Sequence, residues 1–121
     1  MPPKNPTILA FDTSAAHCVA VLLSGNEVVA TRHEDMARGQ AERLMVLLDE
    51  LLTETGVDWP NLNRIGVGTG PGNFTGVRIS VAAARGLSLA LGIPATGVPV
   101  LEAMAHGAQD AGLACAWLAG E

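Results

Sequence analysis

Residues 64–78 read Arg64-Ile-Gly-Val-Gly-Thr-Gly-Pro-Gly-Asn-Phe-Thr-Gly-Val-Arg78, and the rest of the chain is arranged around them. Residues 64–69 form a short strand pattern. Ile65, Val67 and Thr69 share one face, and Gly66, Gly68 and Gly70 share the other, by the period-two rule. A strand face without side chains admits a helix, a second backbone or a ligand at backbone distance. Gly70-Pro71-Gly72-Asn73 then makes a turn, because proline presets φ and the flanking glycines accept positive φ. Asn73 or Thr75 is placed to cap a helix over residues 75–91, which Gly92 and Ile93-Pro94 end.

That helix carries small residues (Gly76, Ser80, Ala82, Ala83, Ala84, Gly86, Ser88, Ala90) among large apolar ones, and only Arg78 and Arg85 are charged. A pattern apolar nearly all round predicts burial on more than one side. One sheet covers one side of a helix, so the other side needs a partner. Two arginines and a length under ~20 residues exclude a membrane span.

Outward from this centre, the composition sets bounds. The chain has 121 residues, 49% hydrophobic but only 3% aromatic, which predicts one domain with an aliphatic core. A net charge of −5 argues against a main nucleic-acid grip. Cys18 and Cys115 are too few and too far apart for a disulfide framework and read as buried thiols of a reducing, cytoplasmic compartment. Residues 1–6 read as a flexible polar leader without the hydrophobic segment of a secretory signal.

In chain order, residues 7–11 and 17–23 are apolar on both faces, as central strands are. Gly25-Asn26 makes a two-residue hairpin turn into a more polar strand, residues 27–32, expected nearer an edge. A helix follows over residues 38–55, closed by Gly56. Its apolar residues, Ala41, Leu44, Met45, Leu47, Leu48, Leu51 and Leu52, span roughly 160° against the ~100° of an ordinary surface helix. Residues 94–98 are a fifth strand and residues 100–111 a third helix; residues 112–121 begin another apolar run. The order β-β-β-α-β-α-β-α predicts an α/β fold with a five-stranded mixed sheet, since strands joined through a helix pair in parallel.

The chemical inventory is thin. His17, His33 and His106 lack metal-ligand spacing, and no Gly-x-Ser-x-Gly elbow exists. The glycine loop fails both the dinucleotide fingerprint and the Walker A pattern. Backbone amides around Gly70, Gly72 and Asn73 are nonetheless able to hold an anion at a helix N-terminus, or to form a purely structural turn. Asp12-Thr13-Ser14, ending the first strand, stands where actin-like ATPases and sugar kinases put metal–nucleotide contacts. Its alternative is an Asx-type turn satisfying local backbone.

Ile8-Leu-Ala-Phe-Asp12-Thr-Ser, Glu42-Arg43-Leu44, Ala90-Leu-Gly-Ile-Pro94 and above all Gly70-Pro-Gly-Asn-Phe-Thr-Gly-Val-Arg78 resemble the N-terminal half of the TsaB (YeaZ) family, over residues 7–106. The resemblance implies an actin/Hsp70/sugar-kinase-like (ribonuclease H-like) lobe over residues 7–111, with residues 112–121 expected to begin a C-terminal lobe. It implies a non-catalytic partner subunit, working with TsaD and TsaE in forming N6-threonylcarbamoyladenosine at position 37 of tRNA, in contact with tRNA only through the complex. No metal, cofactor, membrane or catalytic residue is expected, despite the glycoprotease (M22 peptidase) label that such sequences carry. The family's two-helix docking surface falls on Leu44, Leu48 and Leu51 of the first helix and on Val77, Ser80, Val81, Ala83, Ala84 and Leu87 of the second, with a homodimer expected when the chain is alone. Where many relatives carry His-Ser-Glu, this chain has Gln40-Ala41-Glu42. The competing expectation is an actin-like enzyme that binds ATP or ADP through Asp12, Thr13, Ser14 and the glycine loop.

Overall fold

Residues 6–25, 27–68 and 74–98 are described by the structure, a computed structural model. The elements run β1 (Thr7–Asp12), β2 (His17–Ser24), β3 (Glu27–Asp35), α1 (Gln40–Thr55), a 3₁₀ turn (Trp59–Asn61), β4 (Arg64–Gly68), α2 (Phe74–Leu91) and β5 (Ala95–Val98). They form one five-stranded sheet in the order β3-β2-β1-β4-β5. The first three strands are an antiparallel meander, while β4 pairs in parallel with both β1 and β5. This is the expected mixed sheet. The third helix read over residues 100–111, the run at 112–121, residues 1–5 of the leader and the glycine loop lie outside the described residues.

Burial follows the hydropathy of each strand. β1 and β2 occupy the middle of the sheet and are buried on both faces; β3, an edge strand, alternates between half-buried and exposed. β3 runs three residues past its expected end, to Asp35. Those extra residues are polar, but pairing with His17, Cys18 and Val19 supplies backbone bonds that the hydropathy pattern does not advertise.

Both helices lie on one sheet face. Leu9, Phe11, Cys18, Ala20, Leu22, Ile65 and Val67 meet Leu44, Leu47, Leu48, Leu51 and Leu52 of α1 and Ala84 of α2 in a single core. The wide apolar arc of α1 thus divides in two. Its five leucines take the sheet, while Ala41 and Met45 turn towards α2. Val46, off the arc, is exposed. On α2 the small residues Gly76, Ser80 and Ala84, four apart, are the buried stripe, so the helix axis comes close to the sheet.

An ion network fastens α1 to the edge strand. The Arg43 guanidinium donates to both Glu34 oxygens, at 2.9 and 2.7 Å, and to both Glu50 oxygens, at 3.0 and 2.9 Å. Arg32 donates to Glu54 at 2.7 Å and lies 3.6 Å from Glu50. Hydrogen bonds from Arg43 hold the Glu34 and Glu50 carboxyls below the usual glutamate range, although their partial exposure keeps the net gain small.

The sign of the resulting pH dependence is set by that lowering. The contribution is complete above the ordinary glutamate value of 4.5 and is lost as pH falls through the depressed folded values. Urea midpoints followed by circular dichroism from about pH 7 down to about pH 3 should show an acid-side fall that is shallower in Arg43→Met than in the parent chain. Parallel profiles would show that the network carries no stability.

Candidate functional site: the strand-one turn and the two-helix groove

Two neighbouring features stand out. The first is the turn leaving β1. Asp12 accepts the Ser14 N–H at 2.7 Å on Oδ1, which closes an Asx turn. Thr13 donates its hydroxyl to the Gly76 carbonyl of α2, and Gln40 of α1 donates from Nε2 to the carbonyls of Ala15 at 2.6 Å, His17 at 2.7 Å and, more weakly, Thr13 at 3.3 Å. Asp12, Thr13, Ser14 and His17 are all buried. Asp12 Oδ1 and the Thr13 hydroxyl thus hold backbone groups of the turn itself and of α2.

Two glycines make this packing possible. A Cβ at Gly76 would lie 1.9 Å from the Thr13 carbonyl oxygen, so the first turn of α2 rests directly on the turn's backbone. On the bare face of β4, a Cβ at Gly68 would stand 2.5 Å from Asp12 Cγ. The partner that the side-chain-free strand face admits at Gly68 is the Asp12 carboxylate.

Beside the turn, His17 Nε2 is buried without a hydrogen-bond partner, 3.8 Å from Asp12 Oδ2. The His17 ring meets His33 edge to face, with centroids 5.3 Å apart. Among the described residues no group of three or more His, Cys, Asp or Glu side chains is disposed to hold a metal ion. Burial, then the nearby Glu34, pushes the Cys18 thiol up, away from thiolate chemistry.

The second feature is a groove of about 470 Å³ between the helices, lined by Ala41, Leu44, Met45, Thr75, Arg78, Ile79, Ala82 and Ala83. It is mostly apolar, with Met45 41% exposed at its wall. A second hollow of about 410 Å³ lies along Val77, Arg78, Val81, Ala82 and Arg85, on the outer side of α2.

Against this geometry the expected residues separate. Leu44, Leu48, Leu51, Ser80 and Ala84, expected at a docking surface, are at most 1% exposed and belong to the chain's own core. The reason is register: these positions lie on the helix faces that meet the sheet. Val77, Val81, Ala83 and Leu87 are half-buried. Asp12, Thr13 and Ser14 come together at the turn, while Gly70, Gly72 and Asn73 lie outside the described residues. Sequence reading passed over Gln40, Gly76 and His17 as parts of the turn. For Gln40 and Gly76 the only local signals were a glutamine at a helix start without a capping residue and a glycine inside a helix.

The sheet order, the Asp-Thr-Ser turn after β1 and the two helices on one face define an actin/Hsp70/sugar-kinase-like lobe. A family model described as "TsaD: tRNA N6-adenosine threonylcarbamoyltransferase" matches residues 25–120. The tRNA threonylcarbamoyladenosine biosynthesis protein TsaB of Escherichia coli K12 is 38% identical over 101 residues, 84% of this chain and 43% of that protein. TsaB of Bacillus subtilis is 36% identical over 99 residues, 82% and 43% of the two chains. The solved structure of YeaZ from Pseudomonas aeruginosa superposes with a TM-score of 0.73 at 39% identity, over 77% of this chain and 43% of that one. The chain belongs to the TsaB (YeaZ) family, and it spans less than half the length of these relatives.

Contact between turn and helix makes a sharp stability contrast between two glycines of α2. Gly76→Ala, with no space for its methyl, should destabilise by about 3 kcal/mol or prevent folding. Gly86→Ala, whose Cβ meets nothing within 4 Å, should be neutral or stabilising by up to about 1 kcal/mol. Urea denaturation of both variants tests this, and equal effects would refute the backbone contact.

Proposed function

We propose that the chain is a non-catalytic partner subunit that supports a TsaD-type subunit in forming N6-threonylcarbamoyladenosine at position 37 of tRNA, docking through the groove between α1 and α2. The observation that carries this reading is the groove itself. It is an apolar trough with a polar rim, formed where the small residues Ala82 and Ala83 of α2 face Ala41 and Met45 of α1. Small side chains let a partner helix approach closely, and burying such a trough is the usual reason a protein keeps it exposed. The relatives, which are named for threonylcarbamoyladenosine biosynthesis, support the pathway. In this reading a TsaE-type subunit is a further partner, tRNA is reached only through the complex, the compartment is cytoplasmic, and a homodimer forms through the same face when the partner is absent. Among the described residues no helix is long and apolar enough to cross a membrane.

A second reading, an actin-like nucleotide binder, draws on one observation: the buried His17 Nε2 lacks a hydrogen-bond partner beside Asp12. Titration with ATP and ADP in a calorimeter tests it directly. Heat of binding that disappears in Asp12→Asn would favour this second reading.

The docking reading is tested at Ala82, which is exposed and lines the groove. In Ala82→Glu the fold should survive, whereas a carboxylate buried unpaired on docking costs several kcal/mol. Affinity for a TsaD-type subunit should fall at least about tenfold, since ~1.4 kcal/mol suffices for that. Unchanged affinity in a titration, with the folded state intact by circular dichroism, would sink the groove as the docking face.

A further inference from the structure

The groove's two walls start at the two helix N-termini, and the start of α1 has no side-chain cap. Gly39, preceding α1, is left-handed with φ 82° and makes no side-chain cap. What holds α1 there is Gln40, whose amide reaches the carbonyls of Ala15 and His17. What seats α2 is Gly76, resting on the Thr13 backbone and accepting the Thr13 hydroxyl. The same turn of residues 12–17 thus touches both helices. Gln40 is followed by Ala41, Gly76 preceded by Thr75, and both of those residues line the groove.

We propose that Gln40 is a positioning residue which, by clamping the turn between the two helix N-termini, sets the width of the docking groove. The inference rests on the docking reading for its consequence, but the clamp itself is a property of this chain alone. One NH₂ group serves strong acceptors from two carbonyls and a weaker one from a third, so the clamp depends on donors and not on side-chain bulk. An isosteric side chain without donors should release it. A carboxylate there would face three carbonyl oxygens and push the turn away from α1.

The test uses the full chain with Cys18 and Cys115 replaced by alanine and spin labels at Glu42→Cys and Thr75→Cys, both exposed positions beside the helix starts. In Gln40→Glu the label–label distance distribution should shift or broaden, and the affinity of the unlabelled variant for a TsaD-type subunit should weaken about tenfold. Gln40→Lys, whose ammonium restores N–H donors, should return both readouts towards the parent. Rescue by lysine separates donor loss from general loosening of the fold. If Gln40→Glu does not fold, Gln40→Ala, which removes the donors without adding a charge, is read in the same two ways. A distance distribution unchanged by loss of the donors overturns the clamp, and a changed distance with unchanged affinity overturns its role in the groove. If the parent chain itself fails to bind the TsaD-type subunit, the docking reading falls, and the distance measurement alone decides the clamp.

Discussion

Everything in the helical layer depends on one approach of backbone to backbone, the Gly76 turn of α2 against the carbonyl of Thr13. With 1.9 Å between an added Cβ and that oxygen, the site accepts hydrogen and nothing larger. Once α2 is seated so closely, its next two turns must also present small side chains, and Ser80 and Ala84 do so, at 0% and 1% exposure. The outer side of α2 then carries the half-buried Val77 and Val81 with the exposed Arg78, Ala82 and Arg85.

On the far side of the turn the same economy holds. Asp12 fits because Gly68 lacks a side chain, and Gly68 sits opposite because β4 pairs with β1 in parallel, one residue beyond the Phe11–Val67 pair. Strand pairing, turn geometry and helix placement are therefore one constraint and not three. A motif that resembles a nucleotide contact in the bare sequence is, in the folded chain, the junction of β1, β4, α1 and α2. Asp12 Oδ1 holds the turn's own backbone and Thr13 Oγ1 ties the turn to α2.

The groove is a consequence of that junction. Two helices seated on one sheet face through leucines on one side and small residues on the other cannot close on each other along their outer edges. Ala41, Met45, Ala82 and Ala83 are what remains, too small or too oblique to fill the gap. Arg78 is the charged side chain in its lining, while Arg43 and Arg32 are engaged with Glu34, Glu50 and Glu54 at the opposite flank of α1.

The order of elements over residues 7–98 and the mixed five-stranded sheet were legible without coordinates, because period-two and helical hydropathy are local and strands joined through a helix pair in parallel. So was the surplus of apolar surface on both helices. The direction of that surplus was not. Leu44, Leu48 and Leu51 looked like interface because a wide arc does not say which part of it the sheet will take, and Ser80 and Ala84 looked like a stripe for a partner because smallness serves any close approach. The role of Gln40 was not legible from its place at a helix start, since its three acceptors lie 23 to 27 residues away. Local hydropathy and a few motifs thus suffice for the succession of elements over residues 7–98 and for the family; which helix faces meet the sheet depends on contacts between residues distant along the chain.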